Sequence, residues 1–508
     1  MPIRPPTETE LREFGKRLHL DLREDELAEL IELAADQLED YETVASYTPT
    51  VRAGGDEVRP RSAGRRVPSG ENPRNAWVSR CTVEGRAEGP LAGWEVGVKD
   101  NVSVAGVEMT CGSRVLEGYV PDTDATIVTR LLEAGATVVG KTNMDDMAMT
   151  TTGHSAFGPV IHPGSDDHLA GGSSGGSAVV VATGEVDAAI GTDQGGSVRL
   201  PAAHCGIVGH KPTHGLIPYT GCVGLEHTID HPGPMGPDVE TVARLLTVLS
   251  GDGPEGTAAD DRQPRSVPDE RYHDLEEDVS ELRIGVLDEG FDRPDADPAV
   301  LDRVREAIDL LESACAGTEA VSVPMHADAR AIHSVCASEG LVAAMAGEGL
   351  GHGRRKWYDT TWVDAFGKFR RTAGGEFPAA LKRSLLVGAY AAEEYRARHY
   401  ARGMNLVLDL TESYDALFEE VDLLAMPTTT RTAPERDPQQ GEFDRLRQGR
   451  EAGNTAAFNR TGHPAVSVPA GRVDGLPVGL MFVGSEFDDG RVLDAAFALE
   501  GLREGDGA

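Results

Sequence analysis

The chain is short of lysine. Only Lys16, Lys99, Lys141, Lys211, Lys356, Lys368 and Lys382 occur in 508 residues, so arginine supplies most of the positive charge. Against 84 acidic residues the formal net charge is −36, which argues against nucleic-acid binding through a broad basic surface. The carboxylates are spread along the whole chain and not gathered in a tail. Such a surface suits a cytosol of very high salt, where screening shortens self-repulsion. Long apolar runs are also missing, and none approaches the roughly 20 residues that span a membrane. Met1 to Glu10 has no apolar core behind a basic start, so no signal peptide is expected. The six cysteines, Cys81, Cys111, Cys205, Cys222, Cys315 and Cys336, have neither the paired spacing of zinc sites nor the density of a disulfide scaffold. These absences describe a soluble, cytoplasmic protein with reduced thiols, no metal or other cofactor, and no membrane partner.

What is present reads as an α/β chain. Residues 7–46 place apolar side chains at helical spacing, with Thr7 or Asp21 as candidate caps. A connecting segment rich in Gly, Pro, Arg and Ser follows over 52–75. From Trp94 onward, short apolar strands alternate with helices, an order that argues for a layered α/β core. Strands are expected near 94–98, 137–140, 188–191, 282–287, 423–427, 465–469 and 479–483, with helices at 125–134 and 178–182. An acidic, Pro- and Gly-rich boundary lies at 251–281, and 298–420 is expected to be a mostly helical insertion. The expected division is an N-terminal helical segment, 1–70, and a main domain, 71–504.

Two motifs mislead. Gly135 to Thr142 fits the phosphate-loop pattern G-x-x-x-x-G-K-[ST], but its variable positions, Ala, Thr, Val and Val, read as a strand and not as a cradle. Lys141 is therefore expected in a turn after that strand. Gly172 to Gly176 fits the nucleophile-elbow pattern, with Ser174 as nucleophile and His463 as a candidate base. No hydrophobic strand leads into it, so this reading is the weaker one.

The informative segments are two glycine-rich serine clusters, Gly171-Gly172-Ser173-Ser174-Gly175-Gly176-Ser177 and Gly191-Thr192-Asp193-Gln194-Gly195-Gly196-Ser197. Each adjoins an apolar segment that ought to be buried, which mobile linkers do not. Serines on such loops, beside free backbone N–H groups, suit nucleophilic acyl transfer. Lys99 follows an apolar strand in a chain that has mostly discarded lysine, and burial can leave an amine neutral and basic.

Together these residues resemble the amidase signature family. The resemblance runs from about Asn75 to Gly484 and includes Gly97-Val-Lys-Asp-Asn, Gly140-Lys-Thr-Asn and Cys205-Gly-Ile-Val-Gly-His-Lys-Pro-Thr-His-Gly-Leu. It implies a mixed β-sheet core with helices on both faces and a Ser–cis-Ser–Lys triad. Ser197 would be the nucleophile, Ser173 the bridging serine after a cis peptide, and Lys99 the base. Amides of Gln194, Gly195 and Gly196, with that of Ser197, would form the oxyanion hole, while Asp193, Arg199 and Ser174 would hold the loops. The implied reaction is hydrolysis of a small-molecule carboxylic acid amide to acid and ammonia.

Gln194, the helical leader and Glu226-His-Thr-Ile-Asp-His-Pro-Gly-Pro resemble stand-alone bacterial nitrile-pathway amidases, which implies a homodimer through the N-terminal helices. Gly175 and Thr192 depart from that subgroup's serine and glycine. The alternatives are the A subunit of a tRNA-dependent amidotransferase and a non-catalytic scaffold. Trp357, Tyr358, Trp362 and Phe366 are candidate walls of the acyl pocket, or core.

Overall fold

Three short apolar runs become neighbouring parallel strands, Thr137–Thr142, Glu95–Lys99 and Ala188–Asp193, with Val98 facing Lys141 on one side and Ile190 on the other. In this computed structural model the described residues are 3–48, 59–251, 263, 267–268, 270–294, 296–353, 357–448 and 452–505. The three strands belong to a twelve-stranded mixed sheet. Its order is Arg65–Arg66, Trp77–Val83, Thr137–Thr142, Glu95–Lys99, Ala188–Asp193, His231–Gly236, Val208–Lys211, Ala465–Val473, Leu476–Val483, Leu423–Pro427, Arg283–Leu287 and Gly317–Val321.

Side-chain alternation along the strands feeds two cores. Val138, Ala188 and Ile190 join Ile127, Val128 and Leu131 of one helix and Val242 and Leu246 of another on one face. Val139 and Ala189 point the other way, onto Ala178–Val181 and Ala202. The sheet is thus covered on both faces. Of the two helices on that second face, Gly175–Ala182 starts within the first serine cluster and Arg199–Cys205 just after the second, and both are buried over nearly their whole length.

The described N-terminal residues 3–48 belong to a separate compact unit. Its helices are Glu8–Arg17 and Glu24–Ala45. Thr7 caps the first through a capping box with Glu10, but Arg23, not Asp21, is the cap position of the second. Residues 52–58 of the expected connecting segment and 252–262, 264–266 and 269 of the boundary lie outside the described residues. The insertion carries five long helices, Pro298–Glu312, Ala329–Ala346, Thr360–Ala373, Ala379–Glu394 and Arg398–Phe418, and also an unexpected edge strand, Gly317–Val321.

Candidate active site

Lys99 ends its strand beside Thr192, near the end of the parallel strand Ala188–Asp193. Open α/β sheets place ligands at this carboxyl edge. Lys99 is fully buried, with Nζ 2.8 Å from Ser173 Oγ; it donates to Thr192 O at 3.0 Å and to Thr192 Oγ1 at 2.9 Å. Burial pulls its pKa from 10.5 down to about 7, although Asp145 and Asp193 oppose the fall.

The peptide bond between Gly172 and Ser173 is cis. Only glycine fits before it, because a Cβ on Gly172 would collide with Asp145 Oδ1. The Asp145 N–H donates to Ser173 O at 3.1 Å. Ser174 N–H donates to Ser197 O at 3.1 Å and Ser174 Oγ to Thr192 O at 3.2 Å, so Ser174 laces the two clusters together.

The second cluster is built on Asp193. Its carboxylate accepts from Gly196 N at 2.6 Å, Val198 N at 3.1 Å, Arg199 Nε at 3.0 Å and Asn459 Nδ2 at 2.9 Å. Burial alone would raise its pKa, but Arg199 and Asn459 hold it well below the usual range. Arg199 also donates to Asn459 Oδ1 at 2.7 Å and to Thr455 O at 3.1 Å. Gly196 has φ +127°, and a Cβ there would collide with Thr455 Oγ1. The Gly196 N–H, expected to face an oxyanion, is turned onto Asp193 instead. Thr455 and Asn459 are not legible in the sequence as site residues, being more than 250 positions from the cluster they brace.

Ser197, Gln194 and Gly195 face a cavity of about 210 Å³. Its other walls come from Ala148–Thr152 and from helices of the insertion, through Arg330, His333, Ser334 and Arg383, and Arg445 also lines it. Among the described residues no aspartate or glutamate lines it, in a chain of net charge −36. Burial pulls the His333 pKa down to about 3, so its imidazole is neutral.

Three sequence readings are resolved here, and one of them, the turn expected for Lys141, fails. Trp362 and Phe366 stack on each other, with Tyr119 edge-on to Trp362, in a core cluster that also packs Ala148, Met149 and Leu225 of the cavity wall, and neither ring lines the cavity itself. His463 bonds Asp415 at 3.0 Å and Thr461 at 2.8 Å, not Ser174. Lys141 lies within its strand, fully buried, with Nζ bonded to Val102 O and 3.7 Å from Asp100 Oδ1. Among the described residues, no group of three or more His, Cys, Asp or Glu is placed to hold a metal. No described helix is long and apolar enough to cross a membrane.

The family description Amidase matches residues 74–493. The chain belongs to the amidase signature family. Among relatives in that family, an enantioselective amidase of Rhodococcus rhodochrous is 41% identical over 440 residues, covering 85% of this chain and 83% of its own length. The A subunit of glutamyl-tRNA(Gln) amidotransferase from Natronomonas pharaonis is 40% identical over 431 residues, covering 84% of this chain and 99% of its own length. The crystal structure of the corresponding protein from Thermotoga maritima superposes with a TM-score of 0.67 at 32% identity, over 84% of this chain and 88% of that one. As an amidase signature protein, the chain therefore has relatives of both kinds at nearly equal identity.

Proposed function

We propose that the chain is a stand-alone amidase that converts a carboxylic acid amide to the acid and ammonia. The observation that carries this reading is the buried Lys99 amine, 2.8 Å from Ser173 Oγ and with a pKa near 7, beside a cavity that Ser197 faces. A neutral amine in that position is a base matched to its working pH. Ser197 Oγ bonds the amide carbon as its proton passes to Ser173 Oγ and the Ser173 proton passes to Lys99 Nζ. The amides of Gln194, Gly195 and Ser197 face the developing oxyanion, since that of Gly196 is engaged by Asp193. The C–N bond then breaks as the leaving nitrogen takes the proton back through Ser173. Water hydrolyses the acyl-enzyme by the same relay in reverse.

Arg330 and Arg383, on a cavity wall where none of the described lining residues is a carboxylate, favour an acyl group that bears an anion. The exposed Leu18, Leu20, Leu33 and Val44 support an N-terminal contact between two copies of the chain. The dispersed acidic surface supports a high-salt cytosol.

A second reading is the A subunit of an amidotransferase. It is favoured by the 99% coverage of the Natronomonas pharaonis relative. It uses the same serines but delivers ammonia to a partner protein. Ammonia release by the purified single chain at high salt separates the two. The stand-alone reading expects full activity without a partner, loss in Ser197→Ala and substantial retention in Ser174→Ala. Activity only on adding a partner protein supports the second reading. Normal turnover by Ser197→Ala contradicts both.

A further inference from the structure

The mechanism proposed above leaves one buried carboxyl group unused. Asp145 is fully buried in the segment that follows the strand Thr137–Thr142. Its backbone N–H holds Ser173 O at 3.1 Å. Its Oδ2 accepts from Thr150 Oγ1, from Thr152 N at 2.9 Å and from Gly153 N at 3.2 Å. Its Oδ1 has no hydrogen-bond partner among the described residues and abuts Gly172, where even a methyl group would collide with it. Thr150 and Thr152 line the same cavity as Ser197. One residue therefore touches the glycine before the bridging serine, the serine itself and the cavity wall. A carboxyl oxygen buried without a donor is costly. Glycine at 172 is the only residue that leaves room for it.

We propose that Asp145 is a positioning residue: it holds the Gly172–Ser173 segment against Lys99 and supplies the counter-charge for the ammonium that Lys99 becomes when it takes the serine proton. This rests on the assignment of Lys99 as the base.

The electrostatics agree with that role. Burial raises the Asp145 pKa to about 7 even though the Thr150 hydroxyl, the Thr152 amide and Lys99 oppose the rise, just as Asp145 opposes the fall at Lys99. Two groups that titrate near the same pH and feel each other share protons as a pair. The other groups around Lys99 are Asp193, already neutralised by Arg199, and the Cys111 thiol, whose pKa burial pushes well above its ordinary value. Beyond Asp145 stands Asp146, which interacts with Ser113, Glu442 and Lys382. Asp145 is therefore the carboxylate that can respond when Lys99 gains a proton.

Asp145→Asn keeps an acceptor oxygen for Thr150, Thr152 and Gly153, puts an amide nitrogen in place of the other oxygen and removes the charge. Without it Lys99 loses affinity for a proton and stays neutral at lower pH. The acid limb of the kcat/KM profile is expected to move down by about 1 pH unit, as for removal of a nearby opposite charge. The plateau kcat is expected to fall roughly tenfold or more, because the base is weaker. Thr150→Val, which strips one donor from Asp145 and leaves the carboxyl harder to ionise, is expected to move the limb the same way by less. It keeps the test open should Asp145→Asn not fold.

A kcat loss with an unmoved acid limb in both variants means a purely structural residue and overturns the proposal, as does an unchanged profile. A Lys99→Met variant with wild-type turnover would instead overturn the underlying mechanism.

Discussion

Lys99→Met separates the two consequences of burying an amine. Burial lowers the Lys99 pKa from 10.5 to about 7. Between these values the unfolded chain binds a proton on this residue that the folded chain does not, so stability rises with pH across that window. At 1.36 kcal/mol per pH unit, the cost to the folded state is about 4 kcal/mol at pH 7 and under about 1 kcal/mol at pH 10. Methionine is of similar length and carries no charge, so it removes this cost. It also strips Ser173 Oγ, Thr192 O and Thr192 Oγ1 of their contacts with Nζ, about 1 kcal/mol each. The variant should therefore be about 1 kcal/mol more stable than the parent at pH 7 and about 2 kcal/mol less stable at pH 10. Amide hydrolysis should be lost at both. Urea unfolding of both proteins at the two pH values, in one high-salt buffer, reads the crossover. An equal loss of stability at pH 7 and pH 10 would refute the picture of Lys99 as a desolvated, neutral amine.

Two further outcomes follow from the same geometry. Arg199→Leu leaves the Asp193 charge buried without its partner, which should cost about 3–5 kcal/mol and lower the melting temperature sharply, with activity falling alongside. Arg383→Ala should raise KM for carboxylate-bearing amides about tenfold, the worth of one charged hydrogen bond, while a neutral amide of similar size keeps its kcat/KM.

The parts of this site visible in the sequence are those made of local chemistry. Both serine clusters, the strand before Lys99 and the helix after Ser174 each announce themselves within ten residues. The strand His231–Gly236 does not, because Pro232, Gly233, Pro234 and Gly236 have the composition of a turn. It is a strand because Ala188–Asp193 and Val208–Lys211 pair with it on either side. Lys141 misleads for a related reason: a lysine after four strand-like residues reads as the start of a turn until its acceptor, Val102 O, and its place within the strand are in view. The brace formed by Thr455 and Asn459 and the arginines of the cavity wall are long-range features, assembled from segments well over a hundred residues apart. Large aromatics draw attention to Trp362 and Phe366, yet such rings bury best against one another, and here they do. Asp145 sits in no recognisable pattern, since its importance comes from a space left by a glycine 27 positions later.

The central claim is that Ser197 carries the acyl group during turnover. Acid quenching of the enzyme while it hydrolyses an amide, followed by peptide mass spectrometry, tests this directly. The account predicts one acyl mass on the peptide containing Ser197, absent from Ser197→Ala and absent when Lys99 is replaced by methionine. An acyl group on Ser173 or Ser174, or steady turnover with no covalent adduct under conditions that trap one in a known serine amidase, would contradict it.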